Sequence, residues 1–145
     1  MTVKAIPEGY HTITPYFAVR DAAGLIDFLK RAFDAAETER MEMPDGTVGH
    51  AQLRIGDSPV MIGQLPPSEQ KLMPAMLYMY VADADAVYRK AILAGGKSVM
   101  EPVDQFYGDR SGAVEDPAGN QWWIATRKED VSSEELMRRA AQRKK

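Results

Sequence analysis

A chain of 145 residues with 18 basic and 21 acidic side chains and no cysteine has room for one domain, and excludes disulfides, thiolate nucleophiles and thiolate-bound metals. Two histidines rule out a His-rich metal cage, and a net charge of −3 argues against nucleic acid as a partner. No apolar run approaches the ~20 residues that span a bilayer, and Met1 to Tyr10 lacks the apolar stretch of a signal peptide, so the expected setting is the cytoplasm, away from membranes.

Pro15 to Val19 reads as a strand rich in β-branched and aromatic residues. Asp21 is placed to cap a helix over 22–33, where Leu25, Phe28, Leu29, Ala32 and Phe33 recur at helical spacing. Glu37 to Met43 predicts a second strand, and Pro44-Asp45-Gly46 a turn in which glycine permits a positive φ. Gly49 to Ile55 and Val60 to Gln64 are the third and fourth strands, joined through Gly56-Asp57-Ser58. This first module covers about 10–64. A linker over 65–75 follows, with Pro66, Pro67 and Pro74.

The second module, about 76–127, repeats the order. Met76 to Val81 is a strand, and Asp83 or Asp85 caps a helix through Ala94 that ends at Gly95-Gly96. Lys97 to Glu101 and Gly112 to Glu115 are strands separated by a loop over 104–110. Asp116-Pro117-Ala118-Gly119-Asn120 is a strong turn signal before the last strand, Gln121 to Thr126. A final helix over about 132–143 starts at the capping box Ser132-Ser133-Glu134-Glu135, and its basic end, Arg138 to Lys145, suits the helix dipole. Tyr16 and Tyr78, Val19 and Val81, Asp21 and Asp83, Gly46 and Gly108, Ala51 and Ala113, and Ile62 and Ile124 all stand 62 positions apart. That offset predicts two copies of one βαβββ unit, an α+β fold, within a single domain spanning 1–145.

Side chains alternate across a strand, so each strand has two faces. Phe17, Val19, Ala51, Leu53, Ile55, Leu77, Met79, Val81, Trp122 and Ile124 form an aliphatic and aromatic set that belongs against the helices. The opposite set mixes rings with hydrogen-bonding groups: Thr14, Tyr16 and Ala18; His50, Gln52 and Arg54; Met76, Tyr78 and Tyr80; Gln121, Trp123 and Ala125. A ligand cavity has this composition, and so has a solvent face or a subunit contact. Asp109-Arg110 offers a guanidinium to an anionic ligand, but an ion pair that pins the loop is the preferred reading. No glycine-rich turn leads from a strand into a helix, so no dinucleotide or Walker-type phosphate site is expected.

Three stretches, "YHTITPYFAVRD" (10–21), "DGTVGHAQLRIGDS" (45–58) and "YGDRSGAVEDPAGNQWWIATR" (107–127), resemble the vicinal oxygen chelate superfamily. That group includes glyoxalase I, extradiol dioxygenases, fosfomycin resistance enzymes and bleomycin-binding proteins. The PhnB-like branch is the nearer match, over about 7–139. The resemblance implies two βαβββ modules whose sheets curl into a cupped mixed sheet, and commonly a homodimer, in some members with modules exchanged between chains. The "methyltransferase-like" label of that branch gains no support here, because the glycine-rich cofactor turn is missing. Leu29 and Asp34 stand where the branch commonly carries Tyr and Gly, and Asn120 where it often carries His. Asn tolerates the left-handed conformation, so the turn is expected to survive at 120.

Superfamily enzymes hold a divalent metal with one residue from the first and fourth strand of each module. The resemblance puts those positions at Thr14, Met61, Met76 and Trp123. Two thioethers, an indole and a hydroxyl are not the imidazole and carboxylate donors that such a cation requires. A shift of one residue reaches only Ile13, Pro15, Val60, Ile62, Ala75, Leu77, Trp122 and Ile124. The expected protein is therefore metal-free and without a cofactor, holding a small organic, aromatic ligand in the cup, by analogy with the bleomycin-binding members. Thr14, Tyr16, Met61, Met76, Tyr78, Tyr80 and Trp123 would wall the ligand, with Phe106 and Arg110 at the mouth. His50, Gln52 and Arg54 would orient its polar groups. Two alternatives remain open: a glyoxalase-like metal-dependent lyase or isomerase, and a metal-free enzyme with His50 as its acid or base.

Overall fold

The computed structural model describes residues 4–66, 68 and 71–143. The first three residues, linker positions 67, 69 and 70, and the last two residues of the basic tail lie outside the described residues. The first module runs β1 (Tyr16–Val19), α1 (Ala22–Phe33), β2 (Ala36–Glu42), β3 (Val48–Ile55) and β4 (Ser58–Gln64). The second runs β5 (Met76–Tyr80), α2 (Ala84–Leu93), β6 (Lys97–Asp104), β7 (Asp109–Glu115) and β8 (Gln121–Arg127), followed by α3 (Ser133–Gln142). The fold is α+β, with two four-stranded mixed sheets ordered β1-β4-β3-β2 and β5-β8-β7-β6. The first strand of each module runs parallel to its fourth, and the remaining pairs are antiparallel.

The register corrects the constant repeat. Tyr16 lies beside Met61 and Tyr78 beside Trp123, so the offset of 62 holds for β1/β5 and β4/β8. Ala51, however, faces Ile62, whereas the residue facing Ile124 is Gly112. Between β3 and β7 the offset is thus 61, because the turn 116–120 is longer than the Gly56-Asp57 turn. Ala51 belongs to the hydrophobic core, while Ala113, opposite Trp123, lies on the other side of its sheet.

Each helix is fixed at its start by a side chain. Asp21 accepts from the Gly24 amide (3.0 Å), Asp83 from Ala86 (3.1 Å) and Ser132 from Glu135 (3.1 Å), which satisfies amides that have no partner within the first turn. Asp83 rather than Asp85 caps α2. Helix α1 ends on Asp34 in the left-handed region, φ 56°, a conformation that aspartate tolerates better than most residues.

The turn between β7 and β8 is organised by Asp116, 3% exposed. One of its oxygens accepts from the Ala118 and Asn120 amides, both at 2.9 Å; the other accepts from the Trp122 indole at 2.8 Å. The turn forms with Asn at 120, and it is Gly119 that takes the positive φ, so the tolerance of Asn120 for that conformation is not called on. Its amide side chain is used differently: Nδ2 donates to Asp116 (3.1 Å), and Oδ1 accepts from the Ala75 amide (2.8 Å), tying the linker to the turn.

One core serves both modules. Phe17, Leu25, Phe28, Leu29, Phe33, Leu53, Ile62 and Ile124 are buried together with Trp122. The Trp122 ring lies 5.6 Å from Phe17 and 5.0 Å from Phe33, joining the two sheets across the core. Arg31 donates to the Ala94 carbonyl (2.8 Å), and Lys90 pairs with Asp34 (2.8 Å), linking α1 to α2. This core leaves the mixed face of each sheet pointing away from the helices.

Candidate functional site

On the first sheet, Tyr16 stands on the edge strand β1, and its ring crosses Gly63 of β4 toward β3. A Cβ at Gly63 would lie 3.0 Å from the ring carbons Cε1 and Cζ of Tyr16, so only glycine admits the ring there. His50, opposite Gly63, meets it: the Tyr16 hydroxyl is 3.4 Å from Nδ1, and the rings are 5.8 Å apart. The other His50 nitrogen, Nε2, stands 3.5 Å from the Gln52 amide nitrogen. The hydroxyl of Tyr10 donates to the Gln52 carbonyl oxygen. Tyr10 was not among the expected site residues; nothing in its local pattern announces the contact, which spans 42 positions.

On the second sheet the same construction recurs with a different polar partner. Tyr78 and Tyr80 stand on the edge strand β5, with Tyr80 beside the small Ala125 of β8, and their hydroxyls reach β7. There both hydroxyls donate to Asp109 Oδ2, Tyr78 at 2.7 Å and Tyr80 at 3.0 Å. The two rings meet edge to face, with centroids 5.4 Å apart, a favoured aromatic geometry. Tyr107 joins through its hydroxyl, 3.3 Å from that of Tyr78. Partial burial, then the bonds to Tyr107 and Asp109, push the Tyr78 hydroxyl well above the usual phenol range; Asp109 does the same for Tyr80. Both phenols therefore stay neutral near pH 7.

The sequence predicts a loop over 104–110 that includes Asp109; the structure differs. Asp109 is the first residue of β7, on the side of the sheet that carries Ser111 and Ala113, and it is 3% exposed. Its Oδ1 accepts no hydrogen bond; the nearest cation is Arg127, with Nε at 3.6 Å. Alternation counted back from Ala113 would have placed it there. The signal was masked because Tyr107-Gly108 marks a turn.

The other expected residues fall as follows. Met61 and Trp123 lie in the mixed faces beside Tyr16 and Tyr78, and Met76 is exposed at the start of β5. Thr14 precedes β1 and is half-buried, while Arg54 is exposed near the end of β3. Phe106 lies edge to face with Tyr107 (5.3 Å) and beneath the Arg143 guanidinium (4.4 Å). Arg110 points to the helix side of its sheet. It is bound by Asp85 (2.7 and 3.0 Å) and Asp104 (3.2 Å), whose carboxylates raise it above the ordinary arginine value. The structure thus realises its ion-pair reading and sets Arg110 apart from Tyr78 and Tyr80.

At Thr14, Met61, Met76 and Trp123, the positions that the resemblance implies for a metal, the side chains are a hydroxyl, two thioethers and an indole, a donor set that does not fit a divalent cation. Among the described residues, no group of three His, Asp or Glu side chains is gathered to hold one elsewhere. A cavity of about 760 Å³ opens where the modules meet, between the β5 edge, the end of α1 and the β3–β4 turn. Its walls are core side chains such as Phe33, Val60, Leu77, Met79 and Trp122; its charged lining residues are Asp34, Asp57 and Lys90. Tyr78 and Tyr80 are the residues it shares with the mixed faces.

Two βαβββ modules, each a four-stranded mixed sheet with its helix, define a protein of the glyoxalase class. Residues 10–124 match the family model of the Glyoxalase/Bleomycin resistance protein/Dioxygenase superfamily, and the chain belongs to that superfamily. It is 37% identical over 134 residues to an uncharacterized protein of Mycobacterium tuberculosis, covering 86% of this chain and 79% of that one. Among solved structures it is similar to TioX from Micromonospora sp. ML1 (TM-score 0.70, 24% identity, 81% of this chain and 98% of that chain). It is also similar to the PhnB protein from Bacillus cereus (TM-score 0.67, 18% identity, 80% and 99%). These two likenesses concern the fold.

Proposed function

We propose that this chain is a cytoplasmic, homodimeric binding protein of the PhnB-like branch that holds a small aromatic molecule against the mixed faces of its sheets, without a metal. One observation carries the reading. In both modules an edge-strand tyrosine reaches a polar group on the third strand: Tyr16 crosses Gly63 to His50, and Tyr78 and Tyr80 bond Asp109. Each face thereby combines an exposed aromatic surface with fixed hydrogen-bonding atoms, the composition of a small-molecule site. Trp123 and Met61 extend the apolar surface beside the tyrosines. His50 and Gln52 orient the ligand's polar groups. The metal-dependent alternative has no suitable donors at the family positions, and His50 as a lone acid or base has no carboxylate bonded to it.

A thermal-shift screen of planar aromatic compounds, run beside metal analysis after incubation with Zn²⁺, Ni²⁺, Mn²⁺ and Fe²⁺ and desalting, tests this. A ligand present at about 100 times its Kd should raise the melting temperature by about 5 °C or more. Tyr16→Ala and Trp123→Ala should reduce that rise. Near-stoichiometric retention of metal would overturn the metal-free reading. Turnover abolished by His50→Ala, with binding intact, would replace it with the metal-free enzyme.

A further inference from the structure

The second sheet carries information about the charge of its ligand. Tyr78 and Tyr80 both donate their hydroxyl protons to Asp109 Oδ2. A phenol has one proton to give, so with that proton committed its oxygen offers lone pairs alone to anything in front of it. A group seated on this face must therefore donate. Behind the phenols lies a carboxylate that is almost wholly buried, and its second oxygen accepts no hydrogen bond. Arg127, half-exposed and 3.6 Å away, neutralises it incompletely, since an exposed charge is screened by solvent far more than a buried one. The Tyr78 and Tyr80 rings meet at 62°, forming an aromatic corner whose faces attract cations.

Taking these together, we propose that the Tyr78–Tyr80–Tyr107 face receives a protonated amine carried on an aromatic ligand, with Asp109 as the residue that positions the phenol oxygens as acceptors. This rests on the reading of the mixed faces as a ligand site, and adds the charge of what binds there. An anionic group is disfavoured at the same place. It would find lone pairs facing it and would bring a second negative charge close to Asp109.

The test uses three probes that share a ring and a chain length: 3-phenylpropylamine, 3-phenylpropanol and 3-phenylpropionate. Each is titrated into the full-length protein near pH 7 by calorimetry, with amide and indole NMR shifts to locate the contact. The amine should bind about tenfold or more tighter than the alcohol, and the carboxylate should be weakest. Shifts should centre on Tyr78, Tyr80, Tyr107 and Trp123. Tyr80→Phe, which keeps the ring and removes the phenol oxygen, should lower amine affinity several-fold and alcohol affinity by less, since a neutral donor loses a weaker bond. Arg127→Gln should strengthen amine binding, an outcome that a merely destabilised protein would not produce. Equal binding of amine and alcohol, or tightest binding of the carboxylate, would overturn this inference while leaving the aromatic-ligand reading intact. If none of the three binds at millimolar concentration, both fall.

Discussion

Gly63 shows how one side chain, or its lack, positions a functional group. Tyr16 reaches His50 only because its ring lies flat across a backbone that carries no Cβ. A methyl group there would force the ring off the sheet, since β4 is buried around Gly63 and its backbone is held on both sides by β1 and β3. Gly63→Ala should therefore cost about 1 kcal/mol of stability and break the Tyr16–His50 contact. In a Tyr16→Ala background the same substitution should be neutral or slightly stabilising, because alanine is better than glycine inside a strand. Denaturant titration of the four proteins gives the coupling directly. Additive effects would show that Gly63 is required for some reason other than Tyr16. The equivalent position on the second sheet, Ala125, already carries a methyl group, and there the tyrosine hydroxyls of β5 bond Asp109 on β7 instead.

At the scale of elements, α3 is the outlier. None of its residues is fully buried, so it is held by polar contacts rather than by a core. Arg139 is the hub: it donates to the Phe106 carbonyl (3.0 Å) and pairs with Glu129 (2.9 Å) and Glu135 (2.7 Å). Hydrogen bonds from Arg138 and Arg139 hold the Glu135 carboxyl down to about 2. Through Phe106, α3 braces the turn that presents Tyr107 to the second sheet. Arg139→Ala should cost about 1 kcal/mol of stability and speed amide exchange in both α3 and the 105–108 turn, read by hydrogen-exchange mass spectrometry. Unchanged exchange in the turn would separate α3 from the site. The boundaries of α3 were legible because Ser132 and Glu135 form a local signal. The grip of Arg139 on Phe106, 33 positions away, was not, since it exists only once the chain has folded. Strand β6 runs on to Asp104, past the expected Glu101. It is an edge strand with a register shift between Met100 and Val103, and an edge accommodates Pro102, which cannot donate. The repeat located nearly every element of the second module from the first. The slip to 61 in β7 was hidden, because it depends on how many residues the turn 116–120 absorbs.

For the whole molecule, unpaired strand edges with apolar side chains beside them support the homodimer proposed above. β1 and β5 each pair on one side only, which leaves two free backbone edges of the kind that other chains pair with. Some of the large apolar residues left outside the core lie on or just before those two strands, Ile13 at 82% exposure, Met76 at 65%, Tyr80 at 58% and Tyr16 at 55%, while others, Leu93 and Met137 among them, stand on α2 and α3. Exposed apolar side chains beside an unpaired strand edge suit an interaction site. A symmetric dimer would cover two such patches with a single contact, and would set the Tyr16–His50 face of one chain near the Tyr78–Asp109 face of its partner. Light scattering should then give a particle of about twice 16.1 kDa at micromolar concentration. Ile13→Asp combined with Met76→Asp should shift it to the monomer, since each adds an uncompensated charge to a surface that must be desolvated. The folded monomer should keep its melting cooperativity, because neither residue belongs to the core, and should lose affinity for the aromatic ligand if the two faces act together. A wild-type chain that stays monomeric at 100 times that concentration would leave each face to bind alone. The double variant should then bind as the wild type does.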